Sequence, residues 1–184
     1  MFKSILSFGR PSNRHVTDAL YEAIVAAARQ PRFYSEWEVP DTPLGRYEML
    51  SLHMFLFLER ARGGKAGLPE LAQDLTDEFF KDMDHSLREL GIGDLGVPKR
   101  MKKLARMFYG RAEAYRVALE AGDTAALATA LGRNVQPQRP DWPHAAALAA
   151  YAVQASTALA GQEDAALLAG RIAFPAAEAV EARS

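Results

Sequence analysis

Residues 68–111 decide the fold, and their sequence is LPELAQDLTDEFFKDMDHSLRELGIGDLGVPKRMKKLARMFYGR. They hold two helical patterns joined by a glycine-rich connector. In the first pattern, apolar residues recur every three or four positions, as in a helix with one face against a core. They are Leu68, Leu71, Leu75, Phe79, Met83, Leu87 and Leu90. The second pattern follows the connector and has the same spacing: Met101, Leu104, Ala105, Phe108, Ala112, Tyr115 and Leu119. The stretch therefore predicts a hairpin of two amphipathic helices.

The polar faces of these two predicted helices carry opposite charge. The first is mainly acidic, with Asp74, Asp77, Glu78, Asp82, Asp84 and Glu89. The second is basic, with Lys99, Arg100, Lys102, Lys103, Arg106, Arg111 and Arg116. A surface ion pair contributes about 0–1 kcal/mol, so stability alone gives little reason to sort like charges in this way. We interpret the sorted charge as an interaction surface, with a solvated face as the alternative.

The connector GIGDLG, residues 91–96, matches the G-x-G-x-x-G fingerprint of dinucleotide-binding proteins. That fingerprint requires a strand before the glycines and a βαβ unit around them. Here a predicted helix precedes the glycines, and lysines and arginines follow them. We therefore interpret the connector as a turn between helices, in which Gly91 ends the first helix and Pro98 starts the second. The free amides of the new helix, with Lys99 and Arg100, would favour an anion there.

Helical patterns also fill the rest of the chain. A first helix is predicted from Thr17 to Arg29, before an aromatic-rich ordered loop over residues 32–42. Thr42 and Pro43 start a helix whose stretch MFLFL, residues 54–58, is apolar on every side, as in a buried helix. A short helix over about residues 123–132 and an alanine-rich helix over about residues 142–160 follow.

These patterns predict an all-α protein, a single-domain bundle of about six to seven helices with a central buried helix. The length of 184 residues fits one domain. We expect the domain to span residues 16–176. Residues 1–15 are expected to be a flexible or membrane-surface segment, and residues 177–184 a frayed tail.

Composition excludes several classes of protein. There is no cysteine, so disulfides, thiolate nucleophiles and cysteine-ligated metals are absent. A net charge of −1 argues against a bulk attraction to nucleic acid. No apolar run approaches the roughly 18 residues that a membrane span requires.

The sequence contains no recognisable catalytic motif. Its histidines, His15, His53, His85 and His144, are scattered. Asp82 and His85 resemble half of a di-iron ligand set, but no second copy exists. His53 lies inside the central helix, where a hydrogen-bonded core histidine is the expectation. We therefore expect no catalytic residue, no metal site and no cofactor, with an enzyme of unrecognised site as an alternative.

The basic residues also allow an RNA-binding or ribosome-associated module. Most nearby aromatic residues belong to the apolar stripe, which leaves Tyr109 as the main exposed aromatic. The acidic helix alongside would repel a phosphate backbone. Ribosomal RNA is the form of nucleic acid that we consider, and no DNA partner is expected.

Three segments of the chain together resemble the ubiquinol-cytochrome c chaperone family. They are FYSEWEVPDTPLGRYEMLSLHMFLFLERAR, residues 33–62, LAQDLTDEFFKDMDHSLRELGIGDLGVPKRMKKLARMFYGRAEAY, residues 71–115, and the short helix downstream. The resemblance covers roughly residues 33–135. Residues 80–111 are its most specific part, because the acidic helix, the glycine connector and VPKRMKK occur together and in order.

This resemblance implies a non-enzymatic assembly factor of all-helical fold. Members of the family assist biogenesis of the ubiquinol-cytochrome c reductase complex and hold newly made cytochrome b near the ribosome exit and the membrane. Mitochondrial members act with a small partner protein. The implied partners are therefore cytochrome b as client, with the ribosome and a small protein beside it. The implied location is the cytoplasm, with peripheral contact at the cytoplasmic face of the inner membrane.

The resemblance also implies a partner-binding site on the predicted hairpin. Its residues are Asp84, Arg88, Glu89, Asp94, Lys99, Arg100, Lys102, Lys103, Tyr109 and Arg111. We expect an apolar groove beside them, lined by Phe80, Met107 and Tyr109. Asp41, Gly45 and Arg46 also fit the family pattern, although a role in supporting the fold is an equal alternative for these three.

Overall fold

The computed structural model of the chain describes residues 11–179. Eight α-helices follow one another: α1 (Pro11–Ala28), α2 (Pro31–Ser35), α3 (Pro43–Arg62), α4 (Leu68–Glu89), α5 (Val97–Glu120), α6 (Thr124–Val135), α7 (Ala145–Ala160) and α8 (Asp164–Leu168). A single 3₁₀ turn, Ala177–Ala179, comes last. The described residues contain no strand. The predicted all-α single-domain bundle is therefore confirmed.

Helix α3 is the centre of the bundle. The side chain of Thr42 caps it by accepting a hydrogen bond from the amide of Gly45 at 3.2 Å, and Pro43 fills its first position. Every residue from 47 to 57 is buried. Helices α1, α4, α5, α6 and α7 all pack against α3. The prediction of a central buried helix is confirmed, because a helix that is apolar on all sides needs neighbours on all sides.

Three boundaries differ from those that the sequence predicts. Helix α1 begins at Pro11 and not at Thr17, so it takes up part of the segment expected to be flexible; residues 1–10 lie outside the described part of the chain. The aromatic loop contains the one-turn helix α2. Ala177 is fully buried, so ordered chain extends past the expected boundary at residue 176. Residues 180–184 also lie outside the described part.

A buried polar cluster joins the middle of α3 to α7. Nδ1 of His53 lies 2.8 Å from the carbonyl oxygen of Met49, which can only accept, so this nitrogen carries the proton. Nε2 of His53 therefore accepts from the hydroxyl of Tyr151, at 2.8 Å. Burial lowers the pKa of His53 to about 4, so the ring is neutral at neutral pH. His53 is thus the satisfied core histidine that the sequence suggests.

The segment after α8 is fastened to the same cluster. Gln30 donates to the hydroxyl of Tyr151 at 3.3 Å and to the carbonyl of Pro175 at 3.2 Å. Its side-chain oxygen accepts from the amide of Ala177 at 2.7 Å. The ring of Phe174 lies 5.2 Å from that of His53. One glutamine therefore links α1, α7 and the end of the described chain.

Gly45 supports the fold at the start of α3. A Cβ atom added there would lie 1.9 Å from the carbonyl oxygen of Pro40, so the backbone before α3 can approach only a glycine this closely. Arg46 and Asp41 form an ion pair at 2.7 Å across the same turn. Of the two readings of Asp41, Gly45 and Arg46, these contacts favour the supporting role.

Replacing Gly45 by alanine should lower the free energy of unfolding by about 1–3 kcal/mol, since the clash is with backbone that cannot move aside easily. Chemical denaturation of the purified protein measures this change. The matched control is Gly110→Ala in α5, where an added Cβ meets nothing within 4 Å. We expect the control to stabilise the protein by about 0.5–1 kcal/mol, as alanine does inside a helix. Equal effects of the two substitutions would contradict the close approach.

Candidate partner-binding surface

Helices α4 and α5 form the predicted hairpin, and its connector ends α4 as a glycine cap does. Gly91 has a φ of 79°. Its amide donates a hydrogen bond to the carbonyl oxygen of Arg88 at 2.9 Å, and the amide of Ile92 donates one to the carbonyl oxygen of Leu87 at 3.2 Å. Helix α5 restarts at Val97 with a proline in its first turn. Because a helix and not a strand delivers the glycines, the dinucleotide reading is excluded.

The end of the hairpin projects from the core. Between residues 84 and 107 only Val97 is buried. The apolar stripes predicted for both helices become more exposed toward the connector. Half-buried residues there are Leu87, Met101, Leu104 and Ala105, and Leu90 is 59% exposed. Leu95 in the connector is 100% exposed. The prediction that Leu90 faces the core is therefore wrong, because the helices extend beyond the elements that would cover it.

A groove of about 930 Å³ runs along this projecting end. Glycine backbone and two apolar side chains line one side: Leu90, Gly91, Ile92, Gly93 and Gly96. Basic side chains line the other: Lys99, Arg100, Lys102, Lys103 and Arg106. We call it the basic groove. It brings together four of the predicted site residues, Lys99, Arg100, Lys102 and Lys103, and adds Arg106.

The cations of the basic groove are not neutralised within the described part of the chain. All five are exposed, and none forms an ion pair with another described residue. Three acidic side chains of α4 have partners on their own helix instead: Glu78 pairs with Lys81, Asp84 pairs with Arg88, and Glu89 lies 3.2 Å from Nε2 of His85. The two helices carry opposite charge without using it to hold each other.

The position of these cations also works against the stability of α5. A helix N-terminus carries partial positive charge, so cations are unfavourable in the first turns and acidic residues are favourable. The first turn of α5 has no acidic residue. Fold stability therefore does not explain the basic groove.

Arg88 ties the end of α4 to the connector. Its Nε lies 2.7 Å from Oδ2 of Asp84, and its Nη1 pairs with Asp94. Asp84 and Arg88 stay partly exposed and Asp94 largely so. Neighbouring carboxylates raise the pKa of Arg88 through these hydrogen bonds. The structure thus brings three predicted site residues together as a brace for the projecting connector.

Arg111, predicted to contact a partner, lies inside the protein. Its Nε and Nη2 donate to the two carboxylate oxygens of Glu48, each at 2.6 Å. The side chain of Glu48 is 1% exposed and that of Arg111 is 13% exposed. Burial raises the pKa of Glu48 to about 7, against the opposing effect of Arg111. Because the guanidinium group is fully engaged with α3, this is a correction of the prediction for Arg111.

The apolar contact surface is smaller than predicted. Tyr109 is 56% exposed, and its ring lies 6.2 Å from that of half-buried Phe80 and 5.3 Å from buried Phe108. Met107 precedes Tyr109 by two residues, about 200° around a helix, so it cannot share that face. We call Phe80 and Tyr109 the aromatic pair. Tyr109 follows Lys102 by seven residues, so the pair lies on one side of α5 with Lys102, about 10 Å further along.

Two features of the surface differ from the sequence-based prediction. Leu95 is fully exposed, and an apolar residue inside a glycine-rich connector is the sequence signal for that exposure. Arg111 is not a surface cation, since it lies three residues after Phe108 and four before Tyr115, which are both on the apolar stripe. That spacing places Arg111 on the buried face.

Within residues 11–179, no group of three or more histidine, aspartate or glutamate side chains is placed to hold a metal ion. Asp82 accepts a hydrogen bond from the hydroxyl of Tyr21 at 2.8 Å. None of the described helices is both long enough and apolar enough to span a bilayer.

Comparison with known proteins identifies the family. The model of the ubiquinol-cytochrome c chaperone family matches residues 35–174, well over half of the chain. The chain therefore belongs to the ubiquinol-cytochrome c chaperone family, and the resemblance found in its sequence is confirmed. It is also similar to a solved structure, the crystal structure of the Cbp3 homolog from Brucella abortus. The TM-score is 0.87 and the identity 59%, over 92% of this chain and 94% of that chain. No curated protein sequence matches the chain.

Replacing Arg111 by methionine should lower the free energy of unfolding by about 3–5 kcal/mol, because Glu48 is then buried without its partner. The loss should shrink as the pH falls through the alkaline range toward 7 and change little below that. Without Arg111 the pKa of Glu48 lies above the parent's value of about 7, so in that range the folded variant binds a proton that the folded parent does not. Denaturation at several pH values measures both effects.

The double variant Glu48→Met with Arg111→Met is the matched control, since it removes both charges. We expect it to recover most of the lost stability. If the Arg111→Met variant is as stable as the parent protein, the buried ion pair with Glu48 does not support the fold, and the prediction that Arg111 contacts a partner stands again.

Proposed function

We propose that the chain is a non-enzymatic chaperone that binds newly made cytochrome b and assists assembly of the ubiquinol-cytochrome c reductase complex. Membership of the ubiquinol-cytochrome c chaperone family over residues 35–174 is the observation that carries this proposal. The surface of the α4–α5 hairpin supports it. The aromatic pair, with Tyr109 exposed, lies near the cations of the basic groove, which have no ion-pair partner in the described chain. Exposed aromatic rings and unpaired charges are features of a protein-binding surface.

In this proposal the chaperone acts by contact and not by chemistry. The aromatic pair covers an apolar segment of the client that would otherwise associate wrongly, since Tyr and Phe give large contact area at low conformational cost. The brace of Asp84, Arg88 and Asp94, with Glu89 beside it, presents mixed charge that fixes the register of the client. Such an association should weaken as salt rises, because exposed charges are screened.

We further propose that the chain needs no cofactor and no DNA, and that it works in the cytoplasm, in peripheral contact with the cytoplasmic face of the inner membrane. A client that is built into a membrane is most easily received there. A small partner protein, such as mitochondrial members of the family use, is compatible with the extended surface of α5.

A ribosome-associated module is the second candidate function, and the five exposed cations of the basic groove favour it. Exposed aromatic side chains for base stacking are scarce beside them, since Tyr109 already packs on Phe80. Sedimentation with ribosomes at low salt separates the two candidates. Ribosome binding that persists without nascent cytochrome b would favour the second.

Deletion of the gene, followed by complementation, tests the proposed function. We expect the mature ubiquinol-cytochrome c reductase complex to fall in the deletion strain and to return with the intact gene. Complementation with Tyr109→Glu should restore at most roughly a tenth of the complex, because a charge placed at an aromatic contact weakens binding by well over tenfold. Haem spectra of membranes and immunoblots of complex subunits measure the level.

Val117→Glu is the matched control. Val117 lies eight residues further along α5 and is 58% exposed, close to the exposure of Tyr109. The control should complement fully, with both variants present at parental amounts. A normal complex level in the deletion strain would reject the proposed function, and equal loss in both variants would reject the aromatic pair as the client contact.

A further inference from the structure

The aromatic pair and the charged brace do not account for the end of the hairpin. We define the hairpin tip as residues 90–96. Within it Leu90 is 59% exposed and Leu95 is 100% exposed. A Cβ added at Gly91 or Gly93 would meet nothing within 4 Å, so the tip stands clear of the rest of the protein. Exposed leucines on a projecting turn are costly in water and call for a partner.

The charge around the tip is unbalanced. The first 16 residues of α5 contain no aspartate or glutamate. The nearest carboxylates are Asp94, which pairs with Arg88, and Glu89, which pairs with His85. The five cations of the basic groove therefore face outward without an opposing charge. At 3.6 residues per turn, they fall within about 160° of arc around α5, which is one side of the helix.

We propose that the hairpin tip and the basic groove dock on the surface of a bilayer that contains anionic phospholipid. Leu95 and Leu90 enter the boundary between headgroups and acyl chains, and the lysines and arginines contact lipid phosphates. The assignment rests on the proposed peripheral location of the chaperone and names the surface responsible for it.

Shape favours lipid over the other anionic partners. Apolar side chains at a convex tip, flanked by cations, are the arrangement by which proteins lie in a membrane interface. Long lysine and arginine side chains can keep their charge at the phosphates while their stems follow the apolar boundary. An RNA partner would use exposed aromatic rings at this position, and the tip holds only leucine, isoleucine, glycine and Asp94, which pairs with Arg88. An acidic protein would satisfy the cations but gives no reason for a fully exposed leucine.

The docked orientation is consistent with the proposed chaperone activity. With the start of α5 at the lipid surface, the aromatic pair lies about 18 Å further along the helix, on the side that carries Lys102. A segment of cytochrome b just outside the bilayer would lie within reach of the aromatic pair. Membrane contact and client contact then use adjacent residues, and only Asp94 belongs to both the hairpin tip and the brace.

The absence of cysteine makes a direct test simple, since one introduced cysteine gives a single label. The full chain with Leu95→Cys is labelled with an environment-sensitive fluorophore and mixed with vesicles of phosphatidylcholine, alone or with a quarter phosphatidylglycerol. We expect sedimentation and a blue shift only with the anionic vesicles, both falling as salt rises. The same label at Val117→Cys, on the same helix, should report no change.

Charge is tested by Lys102→Gln with Lys103→Gln in the otherwise native chain. Each cation near an anionic surface strengthens binding by about fivefold, so we expect the pair to weaken vesicle binding by roughly 25-fold. The matched control is Arg133→Gln with Arg171→Gln, which removes two exposed cations that form no ion pair within the described residues. The control should bind vesicles as the parent protein does.

The possible failures are distinct. No sedimentation with anionic vesicles would overturn both this proposal and the proposed peripheral location, while leaving cytochrome b binding intact. Sedimentation without a blue shift at residue 95 would overturn the assignment of membrane contact to the hairpin tip and place the contact elsewhere on the protein. Equal binding to neutral vesicles, or equal loss in the two charge variants, would overturn the role of the basic groove. A Lys102→Gln, Lys103→Gln protein that loses ribosome binding but keeps vesicle binding would assign the groove to RNA.

Discussion

Helix α5 is held to the central helix by polar contacts, and the rest of the surface depends on that attachment. Arg111 forms its buried pair with Glu48, Arg116 pairs with Glu59 at 2.8 Å, and the hydroxyl of Tyr47 donates to the carbonyl of Leu104 at 2.8 Å. These contacts lie between residues 104 and 116 of α5, beyond its first two turns. Such bonds require one alignment of the two helices, whereas apolar packing tolerates small shifts. The first turns of α5 therefore extend outward from a fixed base.

That arrangement separates two uses of charge on a single helix. The arginines deep in the bundle have carboxylate partners on α3 and serve the fold. The cations near the connector have no such partner in the described chain and lie where the helix dipole disfavours them. Charged residues that lower the stability of a fold are characteristic of binding sites, where function is selected at the expense of stability. The hairpin thus combines an anchored half with a basic surface that has no opposing charge within the described residues.

Much of the fold could be predicted from the sequence, because periodicity and capping are local. The boundaries of α3, the glycine cap at Gly91 and the turn between α4 and α5 all follow from neighbouring residues. The pairing of Arg111 with Glu48 could not be read in this way, since 63 residues separate them. The exposure of Leu90 likewise depends on where the surrounding helices end, which no single helical pattern contains. Local spacing therefore indicates which face of a helix a residue occupies, whereas ion-pair partners and exposure at helix ends require the packed structure.

The bond between Gln30 and the amide of Ala177 has a consequence for the order in which the protein can fold during synthesis. Gln30 also holds Tyr151, which completes the partners of His53 at the middle of α3. The central polar cluster is therefore closed by Ala177, which is synthesised after all eight of the described helices. Until then the partly made chain holds α3 inside an incomplete set of hydrogen bonds, and the last of them joins residues that lie 147 positions apart.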